Sequence, residues 1–289
     1  MISGKTRLAA VIANPIKHSL SPFIHNLAFE QTGEDGVYLA FEINETSFEG
    51  SLQTIRQWYM YGANLSMPYK QLALPYMDQL SEEVEFLGAL NTIVNRNGQL
   101  TGYNTDGIGF IESLKYKQIK LRNQRVFILG AGGAAMAIIY ALAKEGVATL
   151  TVAKRQNETF EFVKNKLHEI SHKTGMTIEL VTFDEKALIS RCETATMIVN
   201  TTNVGMIQSE SLLRKEWLSD NQLVVDIIYQ PLETQLLIEA KEKGCQTMNG
   251  IGMLLFQALA SFELWTGKRV TPEPIFQQLM DLIEEKNNQ

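Results

Sequence analysis

Short apolar runs alternate with amphipathic stretches along this chain, the alternation expected of a mainly parallel α/β fold. In the first third, residues 7–13, 37–43 and 62–66 predict strands, and residues 22–31 and 48–60 predict helices. Two further runs, 90–95 and 99–103, flank Asn97-Gly98. That dipeptide suits a two-residue type I′ turn, whose central residues both take positive φ. Counting back from the turn pairs Arg96 with Gln99 and therefore Asn91 with Asn104, which puts Asn91 and Asp106 at the same end of the hairpin. This inference rests on register, because a slip of one residue sends every side chain to the other face.

After Asp106 the pattern predicts a helix over 107–116 and then a second series: strand 125–129, a glycine turn, helix 133–145 and strand 148–153. Strands follow at 177–182, 197–200, 223–228 and 246–248, and helices over 253–264 and 274–285 close the chain. There is no internal repeat and no low-complexity linker. Boundaries are expected near Asp106 and near Gly250.

Composition narrows the function classes. A chain of 289 residues is long enough for two domains, and 45% apolar with 20% charged residues is ordinary for a globular protein. The net charge of −6 argues against nucleic-acid binding, which needs a basic face. Cys192 and Cys245 match no metal-ligand spacing, so no metal is expected and both thiols should pack as small apolar groups in a reducing compartment. The opening Met1-Ile2-Ser3-Gly4-Lys5 lacks the apolar core of a signal peptide. No apolar run approaches the ~20 residues that span a bilayer. A cytoplasmic protein with no membrane partner is expected.

Gly130-Ala131-Gly132-Gly133-Ala134-Ala135 follows an apolar strand and opens a helix, fitting G-x-G-x-x-G/A. The first glycine permits the tight turn and the second lets the backbone approach a pyrophosphate. The small last residue allows close helix–strand packing. The helix N-terminus then offers free N–H groups to the anion. Glycines serving only a tight β–α turn would give the same local pattern. The next strand ends in Ala153-Lys154-Arg155-Gln156, with no carboxylate before Glu158. Lys154 and Arg155 there favour NADP(H), through contacts to the 2′-phosphate, over NAD(H), although a solvated basic loop would give the same pattern.

Several polar residues sit beside strand ends or interrupt apolar runs. Ser19 and Ser21 precede a helix, where capping is the ordinary role of serine, and Asp106 equally suits a helix cap. Lys70 follows Asn64-Leu65-Ser66-Met67-Pro68-Tyr69, and Gln257 breaks the run Met253-Leu254-Leu255-Phe256. A buried amide such as Gln257 needs partners, from the backbone or from a ligand.

Taken in order, these segments resemble the shikimate dehydrogenase family over nearly the whole chain. The resemblance rests on His18-Ser19-Leu20-Ser21-Pro22 through His25-Asn26, Gly62 to Lys70, Gly88-Ala89-Leu90-Asn91-Thr92, and Gly102-Tyr103-Asn104-Thr105-Asp106-Gly107. The glycine turn, Asn200-Thr201-Thr202-Asn203-Val204-Gly205-Met206, Asp226 to Pro231, and Gly250 through Gln257 to Gly267 continue it. The resemblance implies an α/β substrate domain (1–106 with 251–289) into which a Rossmann-type dinucleotide domain (107–250) is inserted. It implies Lys70 and Asp106 as the catalytic pair. Ser19, Ser21, Ser66, Asn91, Asp106, Tyr229 and Gln257 would bind substrate. Gly130, Ala131, Gly132, Gly133 and Ala134 would hold pyrophosphate, with Ile227 and Gly250 bordering the nicotinamide. The implied reaction is 3-dehydroshikimate to shikimate with a nicotinamide dinucleotide, in aromatic amino-acid and chorismate biosynthesis, by a monomer or homodimer.

Three positions depart from the family pattern. Ser66 stands where threonine is common, and Asn203 where proline often stands. Ala153-Lys154-Arg155 replaces the Asn-Arg-Thr clamp of NADP-dependent members. That last departure keeps in view an NAD-preferring quinate/shikimate dehydrogenase and, further off, a non-catalytic ligand sensor. Reducing a ketone requires hydride from the nicotinamide and a proton at the developing alkoxide. By this resemblance Lys70 gives and takes that proton, and Asp106 orients it.

Overall fold

The computed structural model describes residues 2–287, and the chain divides into two compact units. One runs to Gly109 and resumes at Leu255; the other spans Phe110–Leu254. Of the segments expected from the sequence, only Met1 and residues 288–289 lie outside the described residues.

The first unit is built on β1 (Arg7–Ala13), α1 (Ser21–Thr32), β2 (Gly36–Glu42), α2 (Phe48–Gln57), β3 (Gly62–Leu65), α3 (Tyr69–Leu72), β4 (Gln79–Leu80), α4 (Glu82–Leu87), β5 (Thr92–Arg96) and β6 (Gln99–Tyr103). Its six strands run in the order β2-β1-β3-β5-β6-β4. β1 is parallel to both neighbours, whereas β5 is antiparallel to β3 and β6. Asn97 and Gly98 both take positive φ, +53° and +87°, as the type I′ turn requires. Arg96 pairs with Gln99 and Thr92 with Tyr103, the predicted register. Helix α2 stops three residues short of the expected end because Tyr59 turns to a φ of +51° and Met60 N–H closes back on the Ile55 carbonyl.

Helix α5 (Asp106–Tyr116) starts in the first unit and ends in the second. The second unit continues with β7 (Arg125–Leu129), α6 (Gly133–Glu145), β8 (Thr149–Lys154), α7 (Phe160–Thr174), β9 (Ile178–Thr182), α8 (Glu185–Thr194), β10 (Met197–Asn200), β11 (Leu223–Asp226), α9 (Gln235–Lys243) and β12 (Gln246–Met248). Its sheet is all parallel, ordered β9-β8-β7-β10-β11-β12. Numbered within the unit this is 3-2-1-4-5-6, the Rossmann order, and the order reverses between β7 and β10. Such a sheet binds ligands beyond the carboxyl ends of its strands at that reversal. β10 and β11 are buried at every position, as strands covered on both faces must be. β11 ends at Asp226 instead of the predicted residue 228, because the Asp226 carboxylate takes the Ile228 N–H at 3.0 Å and the chain leaves the ladder.

Helix α10 (Ile251–Thr266) returns the chain to the first unit, where α11 (Pro272–Asn287) packs on α1. The Arg96 guanidinium donates to the carbonyls of Leu264 and Trp265, fastening the hairpin to the C-terminal end of α10.

His25 lies fully buried in the first unit, stacked 4.1 Å from the Tyr38 ring and 5.1 Å from Trp265. Burial pulls its imidazole down from 6.5 to about 3, with the nearby Asn64 amide opposing only weakly. Between those values the unfolded chain takes up a proton that the folded chain refuses, so stability is lost as pH falls from 6.5 towards 3. The loss from this group reaches roughly 4–5 kcal/mol at the acid end. Urea unfolding measured across that range should show a shallower pH dependence in His25→Phe than in the wild type. Equal slopes would remove His25 from the acid response.

Candidate active site

Lys70 is held in place by its neighbours before any ligand is considered. Tyr69 is buried on α3, donates its hydroxyl to the Ile43 carbonyl at 2.6 Å and stacks on Phe48 at 4.5 Å. The Lys70 carbonyl takes the Leu90 N–H at 2.9 Å, and Leu65 N–H donates to the Asn91 carbonyl at 2.8 Å, so β3 and α3 are both stitched to the start of β5. The Lys70 ammonium then donates to Asp106 Oδ2 at 2.5 Å. Asp106 is the first residue of α5, not its cap, and its own N–H is taken by Asn104 Oδ1. The lysine side chain keeps 22% of its surface exposed against 8% for the aspartate.

Asn91 completes this group. Its Oδ1 accepts the Thr105 backbone N–H at 2.8 Å, and a backbone amide can only donate. The orientation of the side-chain amide is therefore fixed, and Nδ2 points to Asp106 Oδ1 at 2.8 Å. Gln257 Oε1 lies 3.4 Å from the same nitrogen. Lys70, Asn91, Asp106 and Gln257 are thus brought together in one unit, from α3, the start of β5, α5 and α10.

Ser19 and Ser21 do not cap α1. The cap position is Leu20, without a side-chain bond, while Ser19 Oγ accepts from Ser21 N–H, and Ser21 is buried. Ser66 is half-buried directly after β3, where its N–H binds the Ile12 carbonyl. Tyr229 belongs to the second unit, half-buried beyond β11, and burial pushes its phenol up.

The glycine turn occupies the carboxyl end of β7. Gly130 has a φ of +105°, and a Cβ there would meet Thr201 Oγ1 at 2.8 Å and Thr202 Cγ2 at 2.9 Å. At Gly132 and Gly133 an added Cβ meets nothing within 4 Å, and Gly132 caps α6 with no side-chain bond. Open space together with uncapped helical N–H groups, Gly133 and Ala134 among them, fits an approaching pyrophosphate. Ala131 and Ala134 are half-buried on either side of the two glycines. Gly250 N–H donates to the Ile228 carbonyl, and a Cβ on Gly250 would lie 2.0 Å from the Ile227 carbonyl oxygen, so Gly250 and Ile227 touch through their backbones.

At the end of β8 the two cations part company. Lys154 is buried, with its ammonium donating to Asn157 Oδ1 and Thr159 Oγ1 at 2.9 and 2.8 Å, whereas Arg155 is exposed. Lys154 is therefore engaged within its own loop, and Arg155 is the cation that faces solvent.

Sequence reasoning assigned no role to a second buried group. Asp226, fully buried, accepts from Asn200 Nδ2, Thr234 Oγ1 and Ile228 N–H, while Asn200 Oδ1 accepts from Thr202. Burial pushes the Asp226 carboxyl up and these donors oppose it. The pair clamps the loop that abuts Gly130. Nor were Asn64, Thr92, Thr105 and Ser261 singled out, although polar residues inside apolar runs were the available signal. Among the described residues no cluster of His, Cys, Asp and Glu is arranged to hold a metal, and no helix is long and apolar enough to cross a membrane.

The family described as shikimate dehydrogenase substrate binding domain matches residues 11–93, shikimate / quinate 5-dehydrogenase matches 113–229, and shikimate 5′-dehydrogenase C-terminal domain matches 250–280. A shikimate dehydrogenase (NADP(+)) of Lactococcus lactis subsp. cremoris is 47% identical over 95% of this chain and 96% of its own length. The crystal structure of shikimate 5-dehydrogenase from Listeria monocytogenes in complex with shikimate and NAD superposes with a TM-score of 0.90 at 38% identity, covering 96% of this chain and 98% of that one. That of shikimate 5-dehydrogenase from Thermus thermophilus with NADP(H) and shikimate gives 0.83 at 33%, covering 96% and 99%. With matches reaching from residue 11 to residue 280 and relatives aligned over nearly their full length, the chain belongs to the shikimate dehydrogenase family.

Proposed function

We propose that the protein is an NADP(H)-dependent shikimate dehydrogenase, interconverting 3-dehydroshikimate and shikimate in aromatic amino-acid biosynthesis. The observation that carries this reading is the Lys70–Asp106 ion pair at 2.5 Å, backed by Asn91 and with the lysine side chain partly exposed. In this reading the segments 1–106 and 251–289 bind substrate and 107–250 binds the dinucleotide. Gly130, Ala131, Gly132, Gly133 and Ala134 would hold the pyrophosphate, Arg155 the 2′-phosphate, and Ile227 and Gly250 would border the nicotinamide. Bound there, the nicotinamide supplies hydride for reduction and accepts it in oxidation.

The chain's own groups manage the proton and the substrate. Lys70 delivers a proton to the oxygen that reduction charges, and its neutral form takes one from the hydroxyl in reverse. Asp106 keeps the ammonium aimed and accepts from the reacting ring hydroxyl. Asn91 and Gln257 offer amide groups beside it, and the second unit's Tyr229 is assigned to substrate binding by the family motif alone. Ser19, Ser21 and Ser66 supply hydroxyl donors for the carboxylate and the remaining ring hydroxyls. A cytoplasmic location and a monomeric or homodimeric state complete the proposal.

The test is a matrix of shikimate and quinate against NADP⁺ and NAD⁺. Shikimate with NADP⁺ should give the highest kcat/KM. Higher kcat/KM for quinate with NAD⁺ would favour the quinate-type alternative, which the missing Asn-Arg-Thr clamp keeps in view. In the same assay Arg155→Ala should raise KM for NADP⁺ about tenfold while leaving KM for NAD⁺ nearly unchanged, since an exposed charged contact is worth less than a buried one. Lys154→Ala should act on loop order and so on both cofactors alike. Equal effects of Arg155→Ala on both cofactors would remove it from the phosphate.

A further inference from the structure

Around Asn91 three buried hydroxyls meet, those of Thr92, Thr105 and Ser261. Ser261 is fully buried on α10, four residues after Gln257 and so on the same helical face. Its Oγ lies 2.8 Å from Thr92 Oγ1, 3.2 Å from Thr105 Oγ1 and 3.0 Å from Asn64 Nδ2. Thr92 Oγ1 in turn lies 2.9 Å from Asn91 Oδ1. We propose that Ser261 is a positioning residue for the acid/base pair, orienting and polarising the Asn91 amide through Thr92. The proposal rests on reading Lys70 and Asp106 as that pair.

Proton counting carries the argument. A carbonyl oxygen cannot donate, so the Thr92–Asn91 contact needs the single proton of Thr92. With that proton committed, the 2.8 Å contact between Thr92 and Ser261 needs the proton of Ser261. Two acceptors compete for that proton: Thr105 Oγ1, at the longer distance of 3.2 Å, and the Gln257 carbonyl at 2.9 Å, a helix carbonyl placed to take the Ser261 main-chain N–H. The Asp106 carboxylate decides among these routes. It draws charge through Asn91 Nδ2 and makes Oδ1 the more electron-rich end of the amide, which favours donors running from Ser261 through Thr92 to Asn91. Each bond in such a chain strengthens the next, so the amide N–H presented to Asp106 becomes the better donor. Asn64 holds the far side, its amide oriented by Nδ2 donating to the Asn91 main-chain carbonyl at 3.2 Å, with Oδ1 accepting from the Tyr38 hydroxyl at 2.7 Å.

The experiment pairs a spectrum with an assay. In Ser261→Ala the side-chain amide resonance of Asn91, assigned by its loss in Asn91→Ala, should move upfield as its bond to Asp106 weakens. With shikimate and NADP⁺, kcat should fall about three- to tenfold at little-changed KM, the size of one neutral hydrogen bond. In the Asn91→Ala background, Ser261→Ala should lower kcat no further, because its route to the pair is already cut. An unmoved or downfield-shifted Asn91 resonance in Ser261→Ala overturns the proposal, as do additive losses of kcat. Absence of shikimate oxidation by the wild type would overturn the proposed function, while the spectrum still decides whether Ser261 polarises Asn91.

Discussion

Replacing Lys70 by alanine should lower kcat for shikimate oxidation by about 10²–10⁴-fold, the range for losing a positioned acid/base, with KM changed much less. The expectation follows from how little else changes. Lys70 contributes its carbonyl to the Leu90 N–H and its ammonium to Asp106, and only the second is lost with the side chain. Asp106 keeps its bond from Asn91, so the site loses its proton carrier and retains its frame. Lys70→Arg separates charge from proton transfer. It retains a cation for Asp106, yet a guanidinium does not deprotonate in proteins and cannot accept the hydroxyl proton. Both variants should therefore be slow, with Lys70→Arg the better folded of the two. Steady-state rates with shikimate and NADP⁺, taken where the chemical step limits turnover, decide it; a Lys70→Ala enzyme keeping most of its kcat would remove Lys70 from the chemistry.

Gly132→Asp should abolish useful NADP(H) binding while leaving the fold as stable as before. Gly132 has φ −83° and ψ −171°, a conformation open to any residue, and a Cβ there meets nothing within 4 Å. It is also the N-cap of α6, a position where aspartate stabilises a helix by accepting its free N–H groups. Those N–H groups are the ones proposed to receive the pyrophosphate, so the new carboxylate takes the ligand's place and repels it as well. Losing two charged hydrogen bonds at about 1.5–3 kcal/mol each raises the expected Kd for NADP(H) at least 100-fold. Titration calorimetry and thermal unfolding on the same preparation give both quantities. Unimpaired NADP(H) affinity in a folded variant would place the pyrophosphate elsewhere.

The sequence was most legible where one local rule acted alone. β1, β6, β7, α6, β10 and β12 have the bounds their apolar runs predict, and the Asn97-Gly98 turn set the register that puts Asn91 beside Asp106. Elements resting on few anchors were missed. α3 has four residues, and α7, though fifteen long, buries only Val163, Leu167 and Ile170 and has no side-chain cap. The partner of Lys70 was not legible from periodicity, because the two residues meet only through strand order; the family motifs supplied it. Lys154 illustrates the opposite limit. Its place at a strand end was predicted, but whether an ammonium faces a ligand or its own loop depends on Asn157 and Thr159, whose approach no local pattern encodes.

The discontinuous first unit also has a consequence in time. During synthesis the second unit, being continuous, can fold as soon as its last strand emerges. The unit that carries Lys70 and Asp106 must wait for Leu255 and the rest of α10 and α11. At about 5–20 residues per second that delay is of order ten seconds, with the apolar surface meant for α10 left uncovered. A ribosome-bound chain that has reached Leu254 already holds Lys70, Asn91 and Asp106, but neither Gln257 beside the pair nor Ser261 behind it. The proposed reactive centre is thus among the last parts of the protein to be assembled, although the side chains of its proposed acid/base pair are among the first to be made.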